Sequence, residues 1–118
     1  MNYTHLFQPG RIGSLGLKNR ILMPLYPTKY ATESRVNERM IAFYRERAKG
    51  GAALIVLDCP CLDYPAAYKG KNELRMDEPS FVEGIRKLLK EIQQYGTRAF
   101  MHLTYPHEQV FNEEVEGA

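Results

Sequence analysis

Two cysteines and two histidines are the side chains with the most distinctive chemistry in this chain. Cys59 and Cys61 form a C-x-C pair, and His102 and His107 come later in the sequence. Such a pair could supply half of a metal site, a redox couple or a covalent attachment point for a cofactor. One hypothesis is a metal or redox site that uses all four side chains. The alternative is that the cysteines are small residues in a loop after a strand, since a disulfide between them would be strained.

The elements that must position these side chains read as strand, loop, helix and strand. The apolar residues 21–23 predict a strand buried on both faces. Residues 37–49 predict a helix, with Asn37 as its N-cap and Gly50-Gly51 at its end, where glycine adopts a left-handed conformation freely. The strand 52–58 follows directly, so this segment predicts a parallel β/α unit.

A second helix and a third strand complete the pattern. Ser80 and Glu83 have the spacing of a capping box, and Gly96 ends the helix. Its apolar face consists of Phe81, Val82, Ile85, Leu88, Leu89, Ile92 and Tyr95. Residues 98–103 predict the third strand, and the turn residues near the N-terminus predict a short hairpin before the first strand.

Three parallel strands, two crossover helices and a preceding hairpin predict an α/β fold, namely part of a (β/α)8 TIM barrel. A closed barrel usually needs about 250 residues, whereas this chain has 118. We therefore expect one domain over residues 1–118, with a loose acidic tail at about 109–118. Chemistry in such folds lies at the carboxyl ends of the strands, here residues 24–31, 58–76 and 102–107.

Residues 58–76 form a long connection between a strand and a helix, and long loops of this kind are commonly functional. The loop carries Tyr64, Tyr68, Lys69, Lys71 and Arg75. On one interpretation these side chains contact a substrate or a second subunit. On the other, they are exposed loop residues without a role.

Charge and hydrophobicity exclude several classes of protein. The net charge of +2 is too small to predict binding to nucleic acid or to an anionic membrane surface. No apolar run approaches the ~20 residues of a membrane span. The first seven residues lack the basic and apolar regions of a signal peptide, so we expect a cytoplasmic protein without a membrane partner.

The ordered set of motifs resembles the N-terminal portion of the Old Yellow Enzyme family. The nearest branch is that of the NADH:flavin oxidoreductases and 2,4-dienoyl-CoA reductases. The resemblance extends to about Tyr105 and includes the helix 77–96 with its following strand. Its other carrying residues are Leu6, Phe7, Pro9, Ile12, Gly13, Leu15, Leu17, Lys18, Asn19, Arg20, Ile21, Thr28, Tyr30, Ala31, Glu38, Arg39, Tyr44, Arg47, Ala48, Lys49, Gly50, Gly51, Leu54 and Ile55.

The resemblance implies an FMN-binding barrel. In the family, NAD(P)H reduces the flavin, which then passes hydride to an activated alkene such as an enone or an enoyl thioester. The positions that correspond to flavin contacts in the family are Pro24, Leu25, Tyr26, Thr28, Cys59 and His102. No catalytic residue and no metal ligand of the family falls within this chain.

Most of these positions differ from the family pattern. Pro24–Pro27 stands where the family usually has Ala-Pro-Met and a small residue, unless a one-residue deletion aligns Pro24 with the family proline. His102 replaces a glutamine that hydrogen-bonds the flavin, and it could still donate or accept one bond. Thr28 matches.

Two hypotheses for function follow. The first is the N-terminal segment of an FMN-dependent oxidoreductase, inactive as this chain alone. The second is a non-catalytic half-barrel that has lost flavin binding. On either hypothesis we expect a homo-oligomer or a partner chain that completes the barrel, because a three-stranded sheet leaves its edges uncovered.

Overall fold

A computed structural model of the chain describes residues 2–103. The sequence-based predictions for His107 and for the tail at 109–118 lie outside this range. The N-terminal hairpin pairs β1 (Gly10–Ile12) with β2 (Leu15–Leu17) in antiparallel fashion. The remaining elements are β3 (Leu22–Met23), α1 (Glu38–Lys49), β4 (Leu54–Leu57), α2 (Pro79–Gln93) and β5 (Arg98–Met101).

The three later strands form one parallel sheet in the order β3-β4-β5. Leu22 lies opposite Leu54, and Leu54 lies opposite Arg98. Helices α1 and α2 connect consecutive strands, as the spacing of apolar segments predicts. The partial barrel fold is therefore confirmed, with strands shorter than those predicted.

Helix α1 begins where its N-cap residue predicts. The Asn37 side-chain oxygen accepts a hydrogen bond from the Met40 amide at 2.9 Å. Gly51 follows the helix with a φ of 112°, a conformation that favours glycine. The apolar face of α1 is buried through Met40, Ile41, Tyr44 and Ala48.

The capping box predicted for α2 is wrong. The helix begins at Pro79, which suits the first helical position, and its N-cap Glu78 makes no side-chain cap hydrogen bond. Ser80 therefore lies inside the first turn, where its hydroxyl accepts a 3.4 Å hydrogen bond from Arg35. Glu83 pairs with Arg86 instead, at 2.7 Å.

The core lies between the two helices and one face of the sheet. Ile55 and Leu57 of β4 belong to the same buried cluster as Tyr44, Leu88 and Ile92. Alternate residues of a strand point to opposite faces, so Leu54 and Val56 of β4 face away from the helices.

That second sheet face is only partly covered. Leu54 is buried on it, but Leu22 is 46% exposed and Phe100 is 43% exposed. The prediction that the first strand is buried on both faces is therefore wrong, because β3 is an edge strand of the sheet.

The long connection from β4 to α2 is tied to the loop between β3 and α1. Ala31, Ser34 and Arg75 make three backbone hydrogen bonds between the two loops, at 2.8–3.2 Å. Cys61 also pairs with Arg75 as an isolated parallel bridge. The two loops at the carboxyl end of the sheet thus form one joined unit.

Arg75 stabilises this unit through its side chain as well. Its guanidinium donates to both carboxylate oxygens of Asp77, at 2.9 and 2.6 Å. These hydrogen bonds hold the pKa of Asp77 below its ordinary value. The same guanidinium lies over the rings of Tyr64 and Phe81, 4.0 and 4.6 Å from their centroids. Of the candidate loop residues, Arg75 therefore has a structural role.

Within residues 2–103 no helix is long and apolar enough to cross a bilayer.

Candidate functional site at the strand ends

The carboxyl ends of β3, β4 and β5 meet at one edge of the sheet because the strands are parallel. A cavity of about 210 Å³ opens there. Three of the positions predicted to contact a cofactor line it, one from each strand end: Leu25, Cys59 and His102. Its other lining residues are Pro27, Lys29, Asp58, Lys69, Glu73 and Leu74.

The other three predicted positions are not among the lining residues. Pro24 is exposed. Tyr26 is 61% exposed, and its ring stacks on Phe43 of α1 with a centroid distance of 6.4 Å. Thr28 is 7% exposed, and its hydroxyl donates to Asp58 at 2.7 Å. The cofactor-binding roles of all six positions stay predictions.

A buried hydrogen-bond network around Asp58 holds the site together. One carboxylate oxygen of Asp58 accepts from the Thr28 amide at 3.2 Å and from its hydroxyl at 2.7 Å. The other oxygen accepts from the Tyr44 hydroxyl, which in turn accepts from the Asp58 amide at 3.1 Å. The network joins the end of β4 to α1 and to the loop after β3.

Sequence reasoning missed this network. An ionisable residue directly after a buried strand was the available signal, since a carboxylate there must find donors if it is buried. Tyr44 lies among the residues that α1 buries. Its hydroxyl lies on the buried side, where it reaches the end of β4.

We expect the stability that this network contributes to fall at alkaline pH. Burial, together with the hydrogen bond to Asp58, raises the pKa of the Tyr44 phenol far above its usual value. The stability this contributes is fully present below the unfolded pKa of about 10 and is lost as the pH rises above it. The urea midpoint should therefore fall between pH 8 and pH 11, and Tyr44→Phe should show a smaller fall. An equal fall in both proteins would contradict this assignment.

The cysteines lie in the loop after β4, as one sequence-based interpretation holds. Cys61 is buried, its thiol donates to the Asp63 carbonyl at 3.4 Å, and burial raises its pKa. No disulfide joins Cys59 to Cys61. Among residues 2–103 no group of three or more His, Cys, Asp and Glu side chains could hold a metal ion.

The fold and the strand-end site define one class of protein, part of a (β/α)8 barrel whose site lies at the carboxyl ends of its strands. Residues 5–117 match the family described as NADH:flavin oxidoreductase / NADH oxidase, and the chain belongs to that family. The 2,4-dienoyl-CoA reductase branch stays a prediction.

Relatives and solved structures agree with this assignment. An NADH oxidase of Thermoanaerobacter brockii is 37% identical over 120 residues, covering 98% of this chain and 18% of that protein. A cinnamate reductase of Clostridium sporogenes is 29% identical over 107 residues, covering 86% of this chain and 16% of that protein. The structure of the old yellow enzyme homologue from Zymomonas mobilis matches with a TM-score of 0.73 and 25% identity, covering 83% of this chain and 27% of that one. The chain thus spans less than a third of each.

The cavity fits one edge of the flavin that this family uses. Leu25, Pro27 and Leu74 provide apolar contact for a ring, and His102 can donate or accept a hydrogen bond at a polar ring edge. The cavity, at about 210 Å³, is smaller than the roughly 300–1,000 Å³ of pockets that enclose drug-sized ligands. Further walls are therefore needed to enclose FMN.

Proposed function

We propose that this chain is the N-terminal segment of an FMN-dependent NAD(P)H oxidoreductase that reduces activated alkenes of the enone or enoyl thioester type. One observation carries the proposal: Leu25, Cys59 and His102 come from three separate strand ends and line a single cavity. The family description, which includes NADH and flavin, supports the cofactors. The relative named cinnamate reductase supports an alkene substrate, because cinnamate contains a conjugated double bond.

The residues of this chain would hold and orient the cofactor. Bound FMN supplies hydride transfer between NAD(P)H and the substrate. Leu25 offers an apolar contact, and the half-buried Cys59 offers a small side chain beside it. His102 offers one hydrogen bond to a polar ring edge. Asp58 acts indirectly, since its bonds to Thr28 hold the loop that carries Leu25.

We further propose that the chain alone is inactive. The apolar sheet face that carries Leu22 and Phe100 is exposed, so the barrel needs more strands. A following segment, a second copy of the chain or a partner chain would supply them. The proposed compartment is the cytoplasm.

A chimera tests the cofactor assignment. Residues 1–103 would replace the matching segment of the Thermoanaerobacter brockii NADH oxidase, and visible absorbance would report bound flavin. We expect a yellow chimera that oxidises NADH. His102→Ala should weaken FMN binding by about 2- to 10-fold, which is the loss of affinity expected when one hydrogen bond is removed.

The matched control is Lys49→Ala, an exposed change at the end of α1 that should leave the flavin content unchanged. Circular dichroism and molar mass would establish that each chimera folds. A folded, colourless chimera would overturn the assignment of this segment to flavin binding.

A second candidate is a non-catalytic half-barrel that assembles with itself or with a partner. The specific observation in its favour concerns Thr28, a position expected to face flavin. Its hydroxyl instead donates a hydrogen bond to the buried Asp58. A colourless, stable dimer of the purified chain would favour this candidate. A strictly monomeric chain that unfolds cooperatively would count against it.

A further inference from the structure

The sheet face that points away from the helices carries a charged residue at its amino end. Ala99 and Met101 of β5 pack against the core cluster. Arg98 and Phe100 alternate with them and are exposed, so they point to the opposite face. Arg98 lies in register with Leu54, the first residue of β4. In a complete (β/α)8 barrel this face becomes the interior, which is a packed core and not a pore. Arg98 then belongs to the layer of interior side chains nearest the amino ends of the strands.

Arg98 also lines a wide cleft at this end of the sheet. The cleft has a volume of about 830 Å³ and lies between the N-terminal hairpin, the end of α2 and the start of β5. Arg11 of the hairpin and Lys18 just after it line the same cleft, and none of the described residues that line it is acidic. The Lys18 ammonium donates to the Tyr95 carbonyl at 2.6 Å, a neutral acceptor that leaves its charge in place. The cleft therefore has an unbalanced positive charge.

The neighbouring sequence offers no carboxylate to these cations. The first acidic residue of the chain is Glu33, in the loop after β3. Residues 94–107, which include β5, contain no acidic residue either. In the part of the chain that the structure describes, the guanidinium groups of Arg11 and Arg98 form no ion pair and no hydrogen bond. A counter-charge at this end of the sheet must therefore come from elsewhere.

The interior of a closed barrel is a poor environment for an unpaired guanidinium. Arginine stays protonated at physiological pH, and burial of its charge without a partner is strongly destabilising. A carboxylate matches the planar fork of guanidinium donors, commonly through two parallel hydrogen bonds. An apolar side chain would fill an interior position without this penalty. Arginine at position 98 therefore points to a charged partner.

We propose that the strands that follow β5 in the complete barrel bring a carboxylate to Arg98, inside the cleft beside the hairpin. The amino end of the sheet is then a docking surface for an acidic segment, with Arg11 as a second cation on the same cleft. The inference rests on the proposed completion of the barrel. It does not depend on flavin, because this cleft and the strand-end cavity lie at opposite ends of the sheet.

A crystal structure of the chimera described above is the direct test, because the Thermoanaerobacter brockii enzyme supplies the remaining strands there. We expect a carboxylate oxygen from a strand after β5 within about 4 Å of a guanidinium nitrogen of Arg98. A guanidinium that contacts only water, a bound anion such as phosphate, or a carboxylate of a second molecule would each overturn the proposal.

Substitutions in the chimera test the same pair in solution. Arg98→Met keeps an unbranched side chain but removes the charge, so the carboxylate loses its partner. The melting temperature should fall by roughly 5–15 °C. Arg98→Lys keeps the charge and should recover part of this loss. Equal melting temperatures for Arg98→Met and Arg98→Lys would show that the position serves packing alone, and would contradict the pairing.

Arg86→Met is the matched control, because Arg86 is an exposed arginine of α2 that pairs with Glu83 at 2.7 Å. It should change the melting temperature by less than about 2 °C. The flavin content of the chimera is scored separately. A colourless chimera that contains the Arg98 pair would overturn only the flavin assignment, and a yellow chimera without the pair would overturn only this inference.

Discussion

Asp58→Ala is expected to lower the free energy of unfolding by about 3–5 kcal/mol and to release the loop after β3 from the sheet. The carboxylate is 5% exposed and is the common acceptor of the Thr28 amide, the Thr28 hydroxyl and the Tyr44 hydroxyl. Alanine would leave all three donors buried without an acceptor. Each unsatisfied buried donor costs about 1–3 kcal/mol.

Urea unfolding followed by circular dichroism would measure this loss. Asp58→Asn should have an intermediate effect, because the amide keeps one acceptor oxygen but places N–H groups opposite other donors. Glu46→Ala removes a carboxylate from the exposed side of α1 and should change stability by less than about 0.5 kcal/mol. Equal stabilities of Asp58→Ala and Glu46→Ala would show that the network does not hold the fold.

The loop itself has a separate readout. Hydrogen exchange at residues 28–31 should accelerate in Asp58→Ala, because the Thr28 amide then has no acceptor. The same change should reduce flavin content in the chimera described above, since Leu25 lies on the same loop.

Leu88→Ala is also expected to have a large effect, lowering the free energy of unfolding by about 2–5 kcal/mol. Leu88 has an exposure of 0% and belongs to the core cluster with Tyr44 and Ile55. The cavity left by alanine would loosen the packing of α2 against the sheet. Because small domains are stable by only about 5–15 kcal/mol, this variant should be close to unfolding at room temperature.

Leu22→Ala is the matched control, since it makes the same chemical change on the uncovered sheet face. Leu22 is 46% exposed, so less of its area returns to water on unfolding. The free energy of unfolding should therefore fall clearly less than in Leu88→Ala. In the chimera, further strands would cover Leu22, and the cost of the same change should rise. A large loss for Leu22→Ala in the chain alone would indicate that this face is already covered by a second copy.

Local sequence was enough to predict the elements and their order. Asn37 caps α1, Gly51 follows that helix with positive φ, and the apolar spacing of α2 places Leu88 and Ile92 in the core. These features depend on residues within a few positions of one another, because helix caps, turns and periodicity are local. The parallel arrangement then follows from the alternation of strands and helices.

Two local predictions failed for different reasons. Ser80 does not cap α2, because the helix begins one residue earlier, at Pro79, which suits the first helical position. The first strand is not buried on both faces, because β3 lies at the edge of a three-stranded sheet. The edge position cannot be read from the residues around β3, whereas Pro79 was a local signal for the start of α2.

By itself, then, the sequence determined the class of fold, the order of its elements and the edge of the sheet where chemistry would lie. Only the tertiary structure decided which side chains share that edge. Asp58 meets Thr28 across 30 residues of sequence and Tyr44 across 14. Lys29 and Lys69 face one cavity from separate loops. The physical reason is that these contacts form only when the crossover helix α1 packs on the sheet and returns the chain to the same edge, and no local pattern specifies which side chain will be there.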